Sequence, residues 1–248
     1  MYQIFRQTLA FLTIVPAASG TAFNPACMGR MAGYFPLTGL VCGLILALVW
    51  LILGTLDFSV SLKSVLAVTG LIILTRGFHL DGLADTADAL LSHRSREEKL
   101  AIFKDPHLGT FGVLAIVLDV LLKVFLLSSA MAAPLAWQAL ILFPLWGRLT
   151  ASAVAVRSVY ARPSGGLAQQ LVSGAGREEL RLAALTAILI SLLGGWQCLL
   201  PVLGALLLGF GLAKLWSLAL GGVTGDLLGA SVEIGEIFSL ALISALSR

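Results

Sequence analysis

A chain of 248 residues that is 58% hydrophobic and only 12% charged holds about half the charge of an ordinary soluble domain. Its mean hydropathy of +0.99 and net charge of +3 exclude a soluble globular enzyme and a nucleic-acid-binding protein. The composition reads as a single all-α membrane domain over residues 1–248, a polytopic transmembrane helical bundle of about six to seven spans plus interfacial helices.

The first residues, Met1 to Pro16, are amphipathic and lack a basic stretch followed by a small-residue cleavage site, so an interfacial segment and no removable signal peptide are expected. Apolar runs then predict spans at Ala32 to Leu56, Leu62 to Phe78, Gly109 to Met131, Pro134 to Val156, Leu182 to Leu199 and Val202 to Gly222. The stretch from Asp226 to Arg248, which carries Glu233 and Glu236, reads either as a seventh span or as a helix lying on the bilayer. The thiols Cys27, Cys42 and Cys198 are far apart and form no Cys-x-x-Cys pair, and so read as buried thiols.

Basic residues test this arrangement, because loops on the cytoplasmic side are rich in Lys and Arg. One set of loops holds Arg6, Arg30, Arg94, Arg96, Lys99, Lys104, Arg157, Arg162, Arg177 and Arg181, while the other holds Lys63 beside Asp57. Every segment that carries chemistry therefore falls on the cytoplasmic face. The acidic stretch has no counterpart in the second half, which argues against an inverted-repeat transporter.

The stretch Arg76-Gly-Phe-His-Leu-Asp-Gly-Leu-Ala-Asp-Thr-Ala-Asp88 places Asp81, Asp85 and Asp88 directly after an apolar run. At i, i+4, i+7 spacing a helix carries all three within an arc of roughly 60° and over roughly 10 Å of its length. Three like charges near lipid call for a compensating cation, and oxygen-only ligands favour magnesium, manganese or calcium over zinc. The bland alternative is the wet face of a short helix. Asp81 is expected as the N-cap, with Gly82 leaving room for a phosphate or metal at the backbone.

His79 either orients a carboxylate, acts as a base, or is simply packed. Arg76 either snorkels to the headgroups, holds a phosphate or locks Asp81. The segment Lys104-Asp-Pro-His-Leu-Gly-Thr-Phe-Gly112 precedes a helix, so Lys104, His107, Gly109, Thr110 and Gly112 form a candidate phosphate cradle. Asp119 and Lys123 pair at i, i+4 inside the membrane, although Lys123 and Lys214 could instead face a polar cavity that receives an anionic substrate. Arg148, in the fourth apolar run, is expected to meet an acid or a phosphate. The loop from Arg157 to Arg181, with Gly165, Gly166, Gly174 and Gly176, reads as a mobile element over the site, and Arg162 as a substrate contact. Thr224 and Asp226 read either as a further substrate contact or as the cap of the last helix.

A carboxylate-held divalent metal, several basic side chains and glycine-bearing helix starts at one face suit a phosphate-rich substrate attacked by a hydroxyl. The runs Phe78-His-Leu-Asp-Gly-Leu-Ala-Asp-Thr-Ala-Asp-Ala89, Gly109-Thr-Phe-Gly-Val-Leu114 and Gly221-Gly-Val-Thr-Gly-Asp-Leu-Leu-Gly-Ala230 resemble the cobalamin synthase family of adenosylcobinamide-GDP ribazoletransferases. Phe11-Leu-Thr13 and Phe35-Pro-Leu-Thr-Gly39 are similar too, and the motifs run in family order through most of the chain.

The resemblance implies a Mg2+-dependent enzyme of the bacterial cytoplasmic (inner) membrane, with its active site facing the cytoplasm. It would join α-ribazole, or its 5′-phosphate, to adenosylcobinamide-GDP and release GMP. Asp81, Asp85 and Asp88 would hold the metal, and the segments Gly109 to Gly112 and Thr224 to Asp226 would line the substrate site. Asp119 departs from the pattern, which has an apolar residue there. The Asp-Gly-x-x-Ala-Arg motif of CDP-alcohol phosphotransferases is not matched, since Asp85 and Thr86 stand where Ala and Arg would be. Such a phosphotransferase and, further off, a cation-coupled transporter with Asp119 on its path are the alternatives. A homo-oligomer is left open.

Overall fold

The computed structural model describes residues 1–18, 24–162 and 166–246. Among them twelve α-helices follow in order: α1 (Tyr2–Leu12), α2 (Met28–Met31), α3 (Phe35–Gly54), α4 (Val60–Leu74), α5 (Phe78–Leu91), α6 (Arg96–Ile102), α7 (Thr110–Ala130), α8 (Ala136–Arg157), α9 (Leu167–Gly174), α10 (Arg177–Leu193), α11 (Leu199–Leu220) and α12 (Gly225–Leu246).

Helix α8 is the pillar. Residues 142–155 are all buried, because α3, α10, α11 and α12 all pack against it. Lipid is as apolar as leucine, so close backbone approach and not hydrophobic burial holds such helices together. Gly43 shows how: a Cβ there would meet the carbonyl oxygen of Ile141, so only glycine lets α3 lie this tightly on α8. Helix α7 is the opposite case. It buries only Gly112, Asp119, Lys123, Leu127 and Ala130, one stripe at helical spacing, and its other faces are left for lipid.

Five stretches are long and apolar enough to cross a membrane: Pro25–Gly54, Thr110–Ala130, Ala136–Arg157, Trp196–Leu220 and Gly225–Leu246. The last is the C-terminal stretch left open above: α12 packs along α5, α7, α8 and α11 and is long and apolar enough for a span.

Two expected spans differ. The span predicted to run from Leu62 to Phe78 breaks after Leu74, and α4 and α5 meet at 90°. The cause is two successive left-handed residues, Arg76 (φ 58°) and Gly77 (φ 65°); Arg76 holds this disfavoured conformation with its Nη2 donating to the Phe11 carbonyl at 3.2 Å. Counted together, α4 and α5 make a sixth candidate span. The span predicted at Leu182 to Leu199 also breaks: the 17-residue α10 stops at Leu193 with Gly194 as its cap, and Gly195 at φ 113° starts the turn into α11.

Candidate functional site

Helix α5 begins at Phe78 with Gly77 as its N-cap, so Asp81 lies inside the first turn and is not the cap that its sequence suggested. A carboxylate there still complements the helix dipole. The stripe follows the expected face: Asp81 is exposed, while Asp85 and Asp88 are half-buried. Gly82, on the side turned inward, sets what lies beside it. A Cβ at Gly82 would come within 2.5 Å of the Asp226 carbonyl oxygen, so α5 and α12 touch backbone to backbone. Asp226 is thereby brought to Asp85, whose surroundings hold the charges of Asp226, Asp81, Asp88 and Arg162.

Asp226 is set by two devices. Thr224 caps α12, accepting from the Leu227 N–H at 3.3 Å and donating to Asp226 Oδ2 at 3.2 Å. A short parallel pairing of Tyr160 with Val223, with Ala161 N–H donating to the Val223 carbonyl at 2.9 Å and Val223 N–H to that of Val159 at 2.8 Å, carries the chain of Arg162 to the same place. Arg162 Nη2 then lies 3.8 Å from Asp226 Oδ2, with its guanidinium 5.9 Å from the centre of the Phe103 ring. Residues 163–165 of the expected mobile loop fall outside the described residues.

Asp88 does something sequence did not suggest. Its Oδ2 accepts from Gly109 N–H at 2.8 Å and its Oδ1 from Gly112 N–H at 2.9 Å. The start of α7, expected to cradle a phosphate, is therefore capped by this carboxylate. Thr110 and His107 line a small hollow beside Asp88. His107 is exposed, and its backbone N–H and ring hold the Asp105 carboxyl below the usual carboxylate range. Lys104 lies in a neighbouring hollow with Arg162 and Asp105. Arg76 and Asp81 share an open groove of about 780 Å3 with Gln7, Phe11 and Ile116.

Deeper in the bundle the expected contacts separate from this face. Lys123 is buried and bridges Asp119 (3.2 Å), Glu236 (2.8 Å) and Glu233. Arg148, fully buried, pairs with Glu236 at 2.7 Å. His79 is buried 3.9 Å from Glu233. Lys123, read as a possible receiver of substrate, is thus committed to three carboxylates. Lys214 is exposed and faces Arg157 and Arg177 in a different hollow between α8, α10 and α11, away from the aspartates. Sequence reading missed the part played by Glu233 and Glu236. Two acids in an apolar run need buried cations, and the spans contain few besides Lys123 and Arg148; charge matching across spans was the available signal.

Among the described residues no three His, Cys, Asp or Glu side chains converge closely enough to enclose a metal by themselves. The donor set at the acidic face is nevertheless all oxygen, and Mg2+ is usually held by one or two carboxylates completed by phosphate oxygens and water. Asp81 and Asp226, close enough to feel each other's charge, fit that second kind of site beside Asp85, whereas Asp88 is occupied by the α7 backbone.

Residues 4–244 match the family model described as cobalamin-5-phosphate synthase. A protein of Acetivibrio thermocellus named adenosylcobinamide-GDP ribazoletransferase is 35% identical over 94% of this chain and 94% of its own length. Proteins with the same name from Escherichia coli, 37% identical over 98% of this chain and 100% of theirs, and from Caldanaerobacter subterraneus, 36% identical over 96% of each, are similar to it as well. No solved structure matches. A family model that spans nearly the whole sequence, with relatives alike from end to end, means that the chain belongs to the cobalamin-5-phosphate synthase family.

Proposed function

We propose that this chain transfers the cobinamide phosphate of adenosylcobinamide-GDP to a hydroxyl of α-ribazole, or of its 5′-phosphate, with release of GMP. The observation that carries this reading is the close contact of Gly82 with Asp226, which assembles carboxylates from α5 and α12 beside Arg162. The Lys and Arg residues concentrated in the loops around the acidic stretch support a cytoplasmic orientation of that face.

Arg162 and Lys104 supply positive charge for the pyrophosphate, and the 3.8 Å separation of Arg162 from Asp226 is long enough for the guanidinium to turn to a phosphate oxygen. Asp85 takes the proton of the attacking hydroxyl on a carboxylate oxygen. That hydroxyl oxygen bonds to the phosphorus bearing the cobinamide, the bridging P–O bond breaks, and the electron pair leaves with GMP. Asp81 and Asp226 would hold Mg2+ together with the phosphate oxygens, beside Asp85. When bound it would neutralise charge gathering on the departing oxygen. Asp88 holds the start of α7 in place beside this face, and Gly82 keeps α12 against α5.

The test is an assay of membranes containing the protein with adenosylcobinamide-GDP and α-ribazole, following GMP. Magnesium-dependent GMP release lost in Asp85→Asn supports the reading; GMP formation indifferent to both overturns it.

A further inference from the structure

One cavity of about 320 Å3 is not used by this mechanism. It lies between α1, α5, α8, α9 and α12, and its walls include the rings of Phe11, Phe35 and Phe78. Two polar side chains line it, Arg148 and His79, respectively 0% and 2% exposed. Arg148 spends Nη1 on Glu236 and on the Pro144 carbonyl, while its Nε and Nη2, like His79 Nδ1, have no hydrogen-bond partner. A buried guanidinium with two unused donors costs free energy unless an acceptor arrives. The cavity is at the small end of the range for small-molecule sites, which are mostly apolar with a few placed polar groups.

Its chemistry selects an occupant. Arginine only donates, so the ligand must present an acceptor, and the aromatic walls call for a flat apolar body. Guanine has both donors and acceptors around its edge and would leave several of them unpaired here, at about 1–3 kcal/mol each. A benzimidazole nucleoside carries one unsubstituted ring nitrogen, an acceptor, on an otherwise apolar bicycle. The cavity also lies beside the acidic face, because Gly225, on its wall, precedes Asp226.

We propose that this cavity seats the aromatic base of α-ribazole, with Arg148 donating to the unsubstituted ring nitrogen and the ribose left at the acidic face. The assignment rests on the transferase reading above. It makes Arg148 a substrate contact, and it makes α9 one wall of the base site.

Ala168 on α9 is half-buried and lines the cavity, so Ala168→Phe fills it from the rim without disturbing α8. The purified full-length protein is titrated calorimetrically with α-ribazole alone and then assayed for GMP release. The expected result is a loss of α-ribazole affinity of at least about tenfold, the same rise in KM for α-ribazole, and an unchanged KM for adenosylcobinamide-GDP. Ser173→Phe, which adds a ring to an exposed position of α9 outside the cavity, should behave as wild type and shows that filling the cavity, not a ring on α9, matters. If Ala168→Phe lowers the yield of folded protein, Leu171→Phe fills the same space from the next turn. Unchanged α-ribazole binding, or a rise in KM for the GDP substrate instead, overturns the assignment and leaves a lipid chain as the occupant. Wild-type binding of α-ribazole without GMP release would overturn the transferase reading and not the pocket.

Discussion

Asp88 on α5 and Gly109 ahead of α7 are joined by a 2.8 Å hydrogen bond from the glycine N–H to Oδ2, and the other oxygen of the same carboxylate takes the N–H of Gly112. One side chain thus serves as cap for a neighbouring helix. The three aspartates of the stripe consequently have different work, although their spacing makes them look equivalent.

Asp88→Ala is expected to cost about 1 kcal/mol, as loss of a helix cap does, and to lower the thermal midpoint of the protein in detergent. Asp85→Asn should leave that midpoint unchanged and abolish GMP release. Thermal unfolding and the GMP assay run on both variants separate the two roles; equal thermal loss in both would contradict the division.

Gly82 tolerates no side chain, since a Cβ would press on the Asp226 carbonyl at 2.5 Å. Gly82→Val should force α5 and α12 apart, destabilise by about 1–3 kcal/mol as overpacking does, and remove activity along with stability. Gly70→Ala serves as the control, because the nearest atom to its Cβ is the end of Leu46 at an ordinary 3.7 Å.

Lys123 is the cation shared by Asp119, Glu233 and Glu236. Lys123→Met leaves buried carboxylates without their partner and should cost about 3–5 kcal/mol, read as poor accumulation in membranes. Lys123→Met combined with Glu233→Gln removes one of the stranded charges and should recover part of the loss. A double variant no better than the single one would show that the pairs are independent.

Chelation tests the metal reading. EDTA should abolish GMP release, and added Mg2+ or Mn2+, both suited to oxygen ligands, should restore it. In Asp81→Asn the concentration of Mg2+ needed for half-maximal rate should rise. Full activity in EDTA would remove the ion from the reaction.

Much of the molecule was legible without coordinates. Apolar runs longer than a bilayer is thick identified the membrane bundle, and the i, i+4, i+7 spacing of Asp81, Asp85 and Asp88 located the acidic face, because both are local properties that helical geometry alone dictates. The pairing of Asp119 with Lys123 followed from the same periodicity. What local pattern could not supply was partnership between distant segments: that Asp88 faces the α7 start, that Gly82 meets Asp226, that Lys123 and Arg148 meet Glu233 and Glu236, or that Arg76 and Gly77 turn the chain through 90°. Those relations depend on how close helices come and in which register, and that is decided by steric contact and charge pairing across the whole bundle, where residues more than a hundred positions apart become neighbours.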